Sequence, residues 1–149
     1  MVLLCIGIIA AVFAADYLIK NRIEEDGNLP RKICKGRILL QRFHNRGAAL
    51  NLGEKKQKLV AAVSVLLTLF VLALLIISFG KRGNTLLKLS LSLLLGGAFS
   101  NTYDRLKRRY VVDYLSFQVR WKRLAGIVFN LSDFCIMAGA LAACLAGIK

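Results

Sequence analysis

Four apolar runs, separated by strongly basic connections, constrain this chain more than any other feature. They cover roughly residues 2–18, 59–79, 86–100 and 127–148. A bilayer core is crossed by about 20 apolar residues, with about 17 as the lower bound. The second and fourth runs meet this length, the first is at the limit, and the third is short and carries Lys88. Lys88 lies near one end of its run, where a long aliphatic stem can carry the ammonium to the interface. Composition agrees: 57% of the 149 residues are hydrophobic, against about 45–50% for a soluble domain. Because a helix satisfies its own backbone hydrogen bonds in lipid, an all-α membrane protein is expected. It would be a single domain over residues 1–149 with four transmembrane helices.

The first run has small residues from Ala11 to Ala15 that would suit cleavage of a leader, but no Lys or Arg precedes Lys20. A secretory leader begins with basic residues. Asp16 and Lys20 form an i,i+4 acid-to-base pair, which favours a helix that is retained.

The connection between the first two runs, residues 19–58, holds the only proline, Pro30, in the turn-forming string Asp26-Gly27-Asn28-Leu29-Pro30. Arg37 to Phe43 has the branched, apolar character of a short strand or an interfacial segment. The string Asn45-Arg46-Gly47-Ala48-Ala49-Leu50-Asn51 follows, its small residues permitting close backbone approach. A tight turn, Gly80-Lys81-Arg82-Gly83-Asn84, joins the second and third runs. Tyr103, Tyr110, Tyr114 and Trp121, around the last connection, suit the headgroup region.

Net charge is +14, and it is unevenly placed. Residues 19–58 carry 11 of the 22 Lys and Arg and residues 101–126 carry 7, with Lys149 at the C-terminus. With four spans, those two connections share one side, and a basic face at a bilayer attracts anionic headgroups. Nucleic acid is the other partner a basic chain suggests, but these charges form no nucleic-acid motif. The cysteines (Cys5, Cys34, Cys135 and Cys144) form no CxxC or Cys/His cluster, so neither a zinc site nor a disulfide framework is expected. No cofactor or metal is expected. The single histidine, His44, has no nucleophile motif beside it and is expected at a loop or interface.

Only eight residues are acidic, and three of them sit in two polar strings at the ends of the later runs. One string is Gly96-Gly97-Ala98-Phe99-Ser100-Asn101-Thr102-Tyr103-Asp104-Arg105, followed by Val111-Val112-Asp113-Tyr114. The other is Phe129-Asn130-Leu131-Ser132-Asp133. Each carboxylate has a structural explanation. Asn130 and Asp133 suit a helix start, and Asp104 with Arg105 suits an ion-paired helix end that Asn101 helps to close. Asp113, within the β-like run Tyr110–Leu115, has the weakest such explanation. Taken together, carboxylates near a bilayer are costly and point to function. Asp113 and Asp133 as a proton-sharing dyad would be sufficient for aspartyl proteolysis. Acids lining a channel or transporter path are an alternative, disfavoured by the lack of polar residues through the middles of the runs. A non-catalytic membrane scaffold or lipid-binding protein is another.

The order and spacing of these strings resemble those of the bacterial lipoprotein signal peptidase (signal peptidase II) family. Asp16 and Lys20 match its first-span pair. Asn45, Gly47, Ala48 and Ala49 match its Asn-x-Gly-Ala-Ala string, and Gly96, Gly97, Asn101, Asp104 and Arg105 match its Gly-Gly…Asn-x-x-Asp-Arg string. Asp113 matches its Val-Val-Asp, and Asn130 with Asp133 matches its Phe-Asn-x-x-Asp. Tyr17 stands where Gln is common, Arg46 and Leu50 where Thr and Phe are usual, and Ser132 where Ala is usual. The resemblance implies that Asp113 and Asp133 are catalytic and that Asn45, Gly47, Asn101, Arg105 and Asn130 bind or orient substrate. Asp16, Lys20 and Asp104 would give structural support. It also implies a small β-containing platform in the first connection and a monomer in the bacterial inner or plasma membrane. The active site would be extracytoplasmic, and the substrates diacylglyceryl-modified prolipoproteins cut before the lipidated cysteine. The positive-inside rule would place the two most basic connections in the cytoplasm. The resemblance implies the opposite, and its motifs are more specific than a charge count.

Overall fold

A computed structural model describes residues 1–48, 53–80, 83–119 and 126–147. Ala49, Leu50, Asn51, Lys81, Arg82, Trp121 and Lys149, named above, lie outside the described residues. Among the described residues the helices are α1 (Val2–Glu25), α2 (Gln57–Phe79, entered through a 3-10 turn at Glu54–Lys56), α3 (Thr85–Lys107) and α4 (Leu131–Gly147). The described strands form one antiparallel sheet in the order β1 (Arg31–Ile33), β2 (Ile38–Asn45), β3 (Val111–Phe117), β4 (Val128–Phe129).

Each apolar run becomes a helix, with changed bounds. The helices α1 and α3 continue well past residues 18 and 100 because their polar ends are buried against the sheet and one another. The fourth run splits. Val128 and Phe129 pair with Ser116 and Leu115 as a strand, and the helix starts only after Asn130. Among the described residues, two helical segments, Val2–Glu25 and Glu54–Phe79, are long and apolar enough to cross a membrane. Only 11% of each spanning window is buried, whereas the core helix of a soluble protein would be mostly buried. The helix α4 is apolar but has 17 residues. The central helix is α3, which packs against α1, α2 and α4 and buries Lys88, Ser90, Ser92, Ser100, Asn101, Thr102 and Asp104. Its buried polar face explains why its run is shorter and less apolar in sequence.

Small residues let α3 sit at the centre. A Cβ on Gly97 would lie 2.6 Å from the Ser132 carbonyl oxygen, and one on Gly139 would lie 2.7 Å from the Leu94 nitrogen. Close backbone approach of this kind is how helices pack in lipid, where hydrophobic burial between them contributes little. Lys88 is 8% exposed, and its ammonium reaches Gly83 O (3.1 Å) at the end of the bundle.

The sheet is not built from the first connection alone. The third connection supplies β3 and β4, and β3 is the most buried strand. Asn45 pairs with Val111 and Phe43 with Asp113, with a register shift between Leu40 and Phe43. Val112 and Tyr114 pack with Ile23 of α1 in a core beneath the sheet. Tyr114 is therefore 3% exposed inside the protein rather than at a headgroup surface. Tyr103 packs edge-on against Phe13 and Tyr17.

Candidate active site

The site forms where β3, the end of β2, the C-terminal part of α3 and the start of α4 converge. Asp113, on β3, is 3% exposed. Asp133 lies in the first turn of α4. Asn130 joins them. Its Nδ2 donates to Asp113 Oδ1 (2.7 Å), and its backbone N–H donates to Asp133 Oδ2 (3.0 Å). The other two carboxylate oxygens are also served. Asn45 Nδ2 donates to Asp113 Oδ2 (3.0 Å), and Asn101 Nδ2 donates to Asp133 Oδ1 (2.9 Å). Each of the four oxygens thus receives one N–H.

The helix-start explanation of Asn130 and Asp133 holds as well. Asn130 Oδ1 accepts from Asp133 N (2.8 Å) while Asp133 returns the bond to Asn130 N, a reciprocal capping box. Capping and site-building use the same atoms, so here the structural and functional explanations coincide.

The three asparagines have their amide orientations dictated by what surrounds them. An ammonium only donates, so Lys20 Nζ, 2.9 Å from Asn101 Oδ1, fixes that oxygen toward itself and turns Nδ2 to Asp133. Asn130 Oδ1 is taken by a backbone N–H, so its Nδ2 faces Asp113. Asn45 Oδ1 accepts from Gly47 N (3.1 Å), leaving Nδ2 for Asp113. Arg105 clamps this loop to α3, donating to Gly47 O (3.1 Å) and Asn101 O (3.2 Å).

Beneath lies a buried ionic cluster. Lys20 meets Asp16 at 2.6 Å and Asp104 at 3.0 Å, all three side chains being no more than 1% exposed. Asp104 also accepts from Arg108 Nε (2.9 Å) and from Val112 N (3.3 Å), tying the start of β3 to α1 and α3. Its close ion-pair partners are thus Lys20 and Arg108, not the expected Arg105. Asn101 does not close α3, which continues through Lys107. His44 is paired with Glu24 (2.9 Å), its ring tilted against that of Tyr110 with centroids 4.1 Å apart.

Burial, and next the charge of Asp133, push the Asp113 carboxyl up to about 7, against the opposing effect of its Asn45 and Asn130 hydrogen bonds and of Lys20. Two neighbouring carboxylates that share a partner cannot both ionise easily, which favours the protonated form of Asp113. Both line a cavity of about 320 Å³ whose remaining wall is largely apolar, including Val128, Phe129, Ile136 and Met137. Among the described residues no His, Cys, Asp or Glu cluster could hold a metal. All ten residues singled out in the sequence therefore fall in the carboxylate network or in the ionic cluster under it. Tyr114, Ser100 and Ser132 had no functional assignment, yet all three hydroxyls bond to Asp16.

A pair of coupled carboxylates, Asp113 buried and Asp133 half-buried, opening on an apolar cleft in a membrane-associated helical bundle is the equipment of an aspartic peptidase acting at a membrane. Comparison with known proteins agrees. A family model described as signal peptidase (SPase) II matches residues 8–149, and the chain belongs to that family. Lipoprotein signal peptidase of Caldicellulosiruptor bescii is 36% identical over 135 residues, covering 90% of this chain and 83% of its own. Lipoprotein signal peptidase of Moorella thermoacetica is 34% identical over 142 residues, covering 95% and 88%. A solved bacterial membrane enzyme at 2.3 Å resolution shares the fold with a TM-score of 0.81 at 23% identity, covering 97% of this chain and 87% of that one.

Proposed function

We propose that this chain is an aspartic endopeptidase that removes signal peptides from prolipoproteins, with Asp113 and Asp133 as its catalytic pair. The observation that carries the assignment is the shared Asn130, which bonds both carboxylates at the wall of one cavity. The ionised carboxylate takes a proton from water as the water oxygen attacks the scissile carbonyl carbon. The protonated carboxyl donates to the carbonyl oxygen. The gem-diol intermediate collapses: one of its hydroxyls returns a proton to the second carboxylate, the C–N bond breaks, and the leaving amine takes the proton that the first carboxylate acquired from water, which regenerates the dyad. Asn45, Asn101 and Asn130 hold the carboxylates in register. Gly47 and Arg105 shape the substrate side, and the buried Arg105 Nε–H, which lacks a partner among the described residues, is a donor for a substrate carbonyl. Asp16, Lys20 and Asp104 support the network from below.

The substrate is a prolipoprotein whose cysteine carries diacylglycerol, and cleavage falls on the N-terminal side of that cysteine. Burial of acyl chains stabilises binding by about 0.8 kcal/mol per CH₂, and the apolar cleft suits a peptide lying at the lipid boundary. All four helices span the bacterial inner or plasma membrane, the shorter α4 and the polar-faced α3 being accommodated by their neighbours. The enzyme is a monomer. The sheet lies on the extracytoplasmic side, its basic residues against anionic headgroups.

Purified protein in detergent should cleave a diacylated prolipoprotein before the modified cysteine, and Asp113→Asn should lower the rate by about 10²–10⁴-fold. Cleavage by the variant at the parental rate would overturn the dyad. Intact substrate after incubation with folded parent would overturn the peptidase assignment.

A further inference from the structure

Tyr114 follows the first carboxylate in sequence, and on an extended strand it projects to the opposite face. It enters the core with Ile23 and Val112. Its hydroxyl is committed in two directions. It accepts from Leu131 N (2.9 Å) and donates to Asp16 Oδ1 (3.3 Å). Leu131 opens α4, two residues before Asp133. Its amide is one of the helix-start donors that have no intrahelical acceptor. The side chain next to Asp113 therefore supplies the acceptor that the helix carrying Asp133 lacks.

We propose that Tyr114 is a positioning residue that sets the separation of the two carboxylates by anchoring the first turn of α4 to β3 and, through Asp16, to α1. The inference rests on the dyad assigned above. The Tyr114 side chain is fixed at both ends. Its ring is packed between α1 and the sheet, and its hydroxyl is held by a carboxylate that also binds Lys20, Ser100 and Ser132. Burial, and next the charge of Asp16, raise its phenol, so the proton stays on and the oxygen keeps both roles. The opposite side of the same turn is set by the close approach of Gly97 to the Ser132 carbonyl. Between these two restraints, Asp133 has little freedom to move away from Asn130 and Asp113. A carboxylate displaced by about 1 Å can cost on the order of 10²-fold in rate.

The test uses the full-length protein in detergent with the diacylated prolipoprotein, beside three variants. Tyr114→Phe keeps the ring and deletes only the hydroxyl. We expect kcat to fall about 10- to 100-fold with KM changed by less than about twofold, since the cleft wall is untouched. Thr68→Val removes a buried hydroxyl pair with Thr102 (2.8 Å) on α2 and α3. It should lower Tm without lowering kcat, which separates positioning from general destabilisation. Asp113→Asn reports on the dyad independently. If it is inactive while folded Tyr114→Phe turns over at the parental kcat, positioning by Tyr114 is overturned and the dyad stands. If Asp113→Asn turns over like the parent, the dyad itself fails. Should Tyr114→Phe not fold, hydrogen exchange in the parent decides. The Leu131 amide should be as protected as amides inside α4, and free exchange there would overturn the anchor.

Discussion

Asn130 does two tasks at once: its side chain caps α4 and bonds Asp113, while its backbone N–H bonds Asp133. Asn130→Ala should cost about 1 kcal/mol of stability for the lost cap and also release Asp113, so activity should fall well beyond what the change in Tm explains. Parallel thermal melts and rate measurements would separate the two effects. The raised carboxyl of Asp113 has a further consequence. Its folded value of about 7 lies above the ordinary aspartate value of about 3.9, so the folded protein binds that proton more tightly than the unfolded chain does. The stabilisation is present in acid and lost as pH rises through about 7. Tm in detergent should accordingly be higher near pH 5 than near pH 8, with a smaller difference in Asp113→Asn. In the same range kcat/KM should decline on the alkaline side as the shared proton is lost. A profile still rising at pH 9 would contradict this.

Among the elements, α3 is the organiser. It carries Asn101 and Arg105 to the site and Asp104 to the start of β3, and it approaches α4 closely enough that Gly97 has no room for a side chain. Gly97→Ala places a methyl against backbone, not against a movable side-chain end. Overpacking of this kind typically costs about 1–3 kcal/mol, so a lowered Tm is expected, with loss of activity as the α4 turn is pushed away. The α1 end is equally committed through Lys20. Replacing it with Met leaves Asp16 and Asp104 buried without their shared cation, a change worth about 3–5 kcal/mol when one partner of a buried pair is removed. Lys20→Met should therefore be recovered poorly folded, and detergent melts would measure the loss.

At the scale of the molecule, helices with outward apolar faces carry a basic sheet at one end. Leu3 (85% exposed), Leu66 (65%) and Leu141 (65%) have no protein cover, as expected of surfaces that face lipid. The sheet bears the free, exposed Cys34 in the β1–β2 turn. A variant retaining only Cys34 should react with a membrane-impermeant maleimide added to intact spheroplasts. Labelling only after lysis would reverse the proposed topology and restore the positive-inside expectation.

What the sequence determined by itself was local and chemical. Apolar runs of membrane length declared the helices, because lipid leaves a spanning backbone few options. The spacing of Asn130 and Asp133 declared a helix start, and the order of the polar strings declared the family and singled out ten residues that the fold brings into one network. Tertiary structure decided which partners those residues take. Asp104 turned from its neighbour Arg105 to Lys20, more than 80 positions away in the chain, and Asn101 proved to be mid-helix. Strands β3 and β4 joined a sheet that the first connection only begins. Tyr114 read as an interfacial aromatic because its composition and position suit a headgroup layer, and only the packing of β3 on α1 buries it beside Asp16. Pattern and period act through neighbours in the chain, whereas hydrogen bonds and charges in a dry interior are settled by neighbours in space.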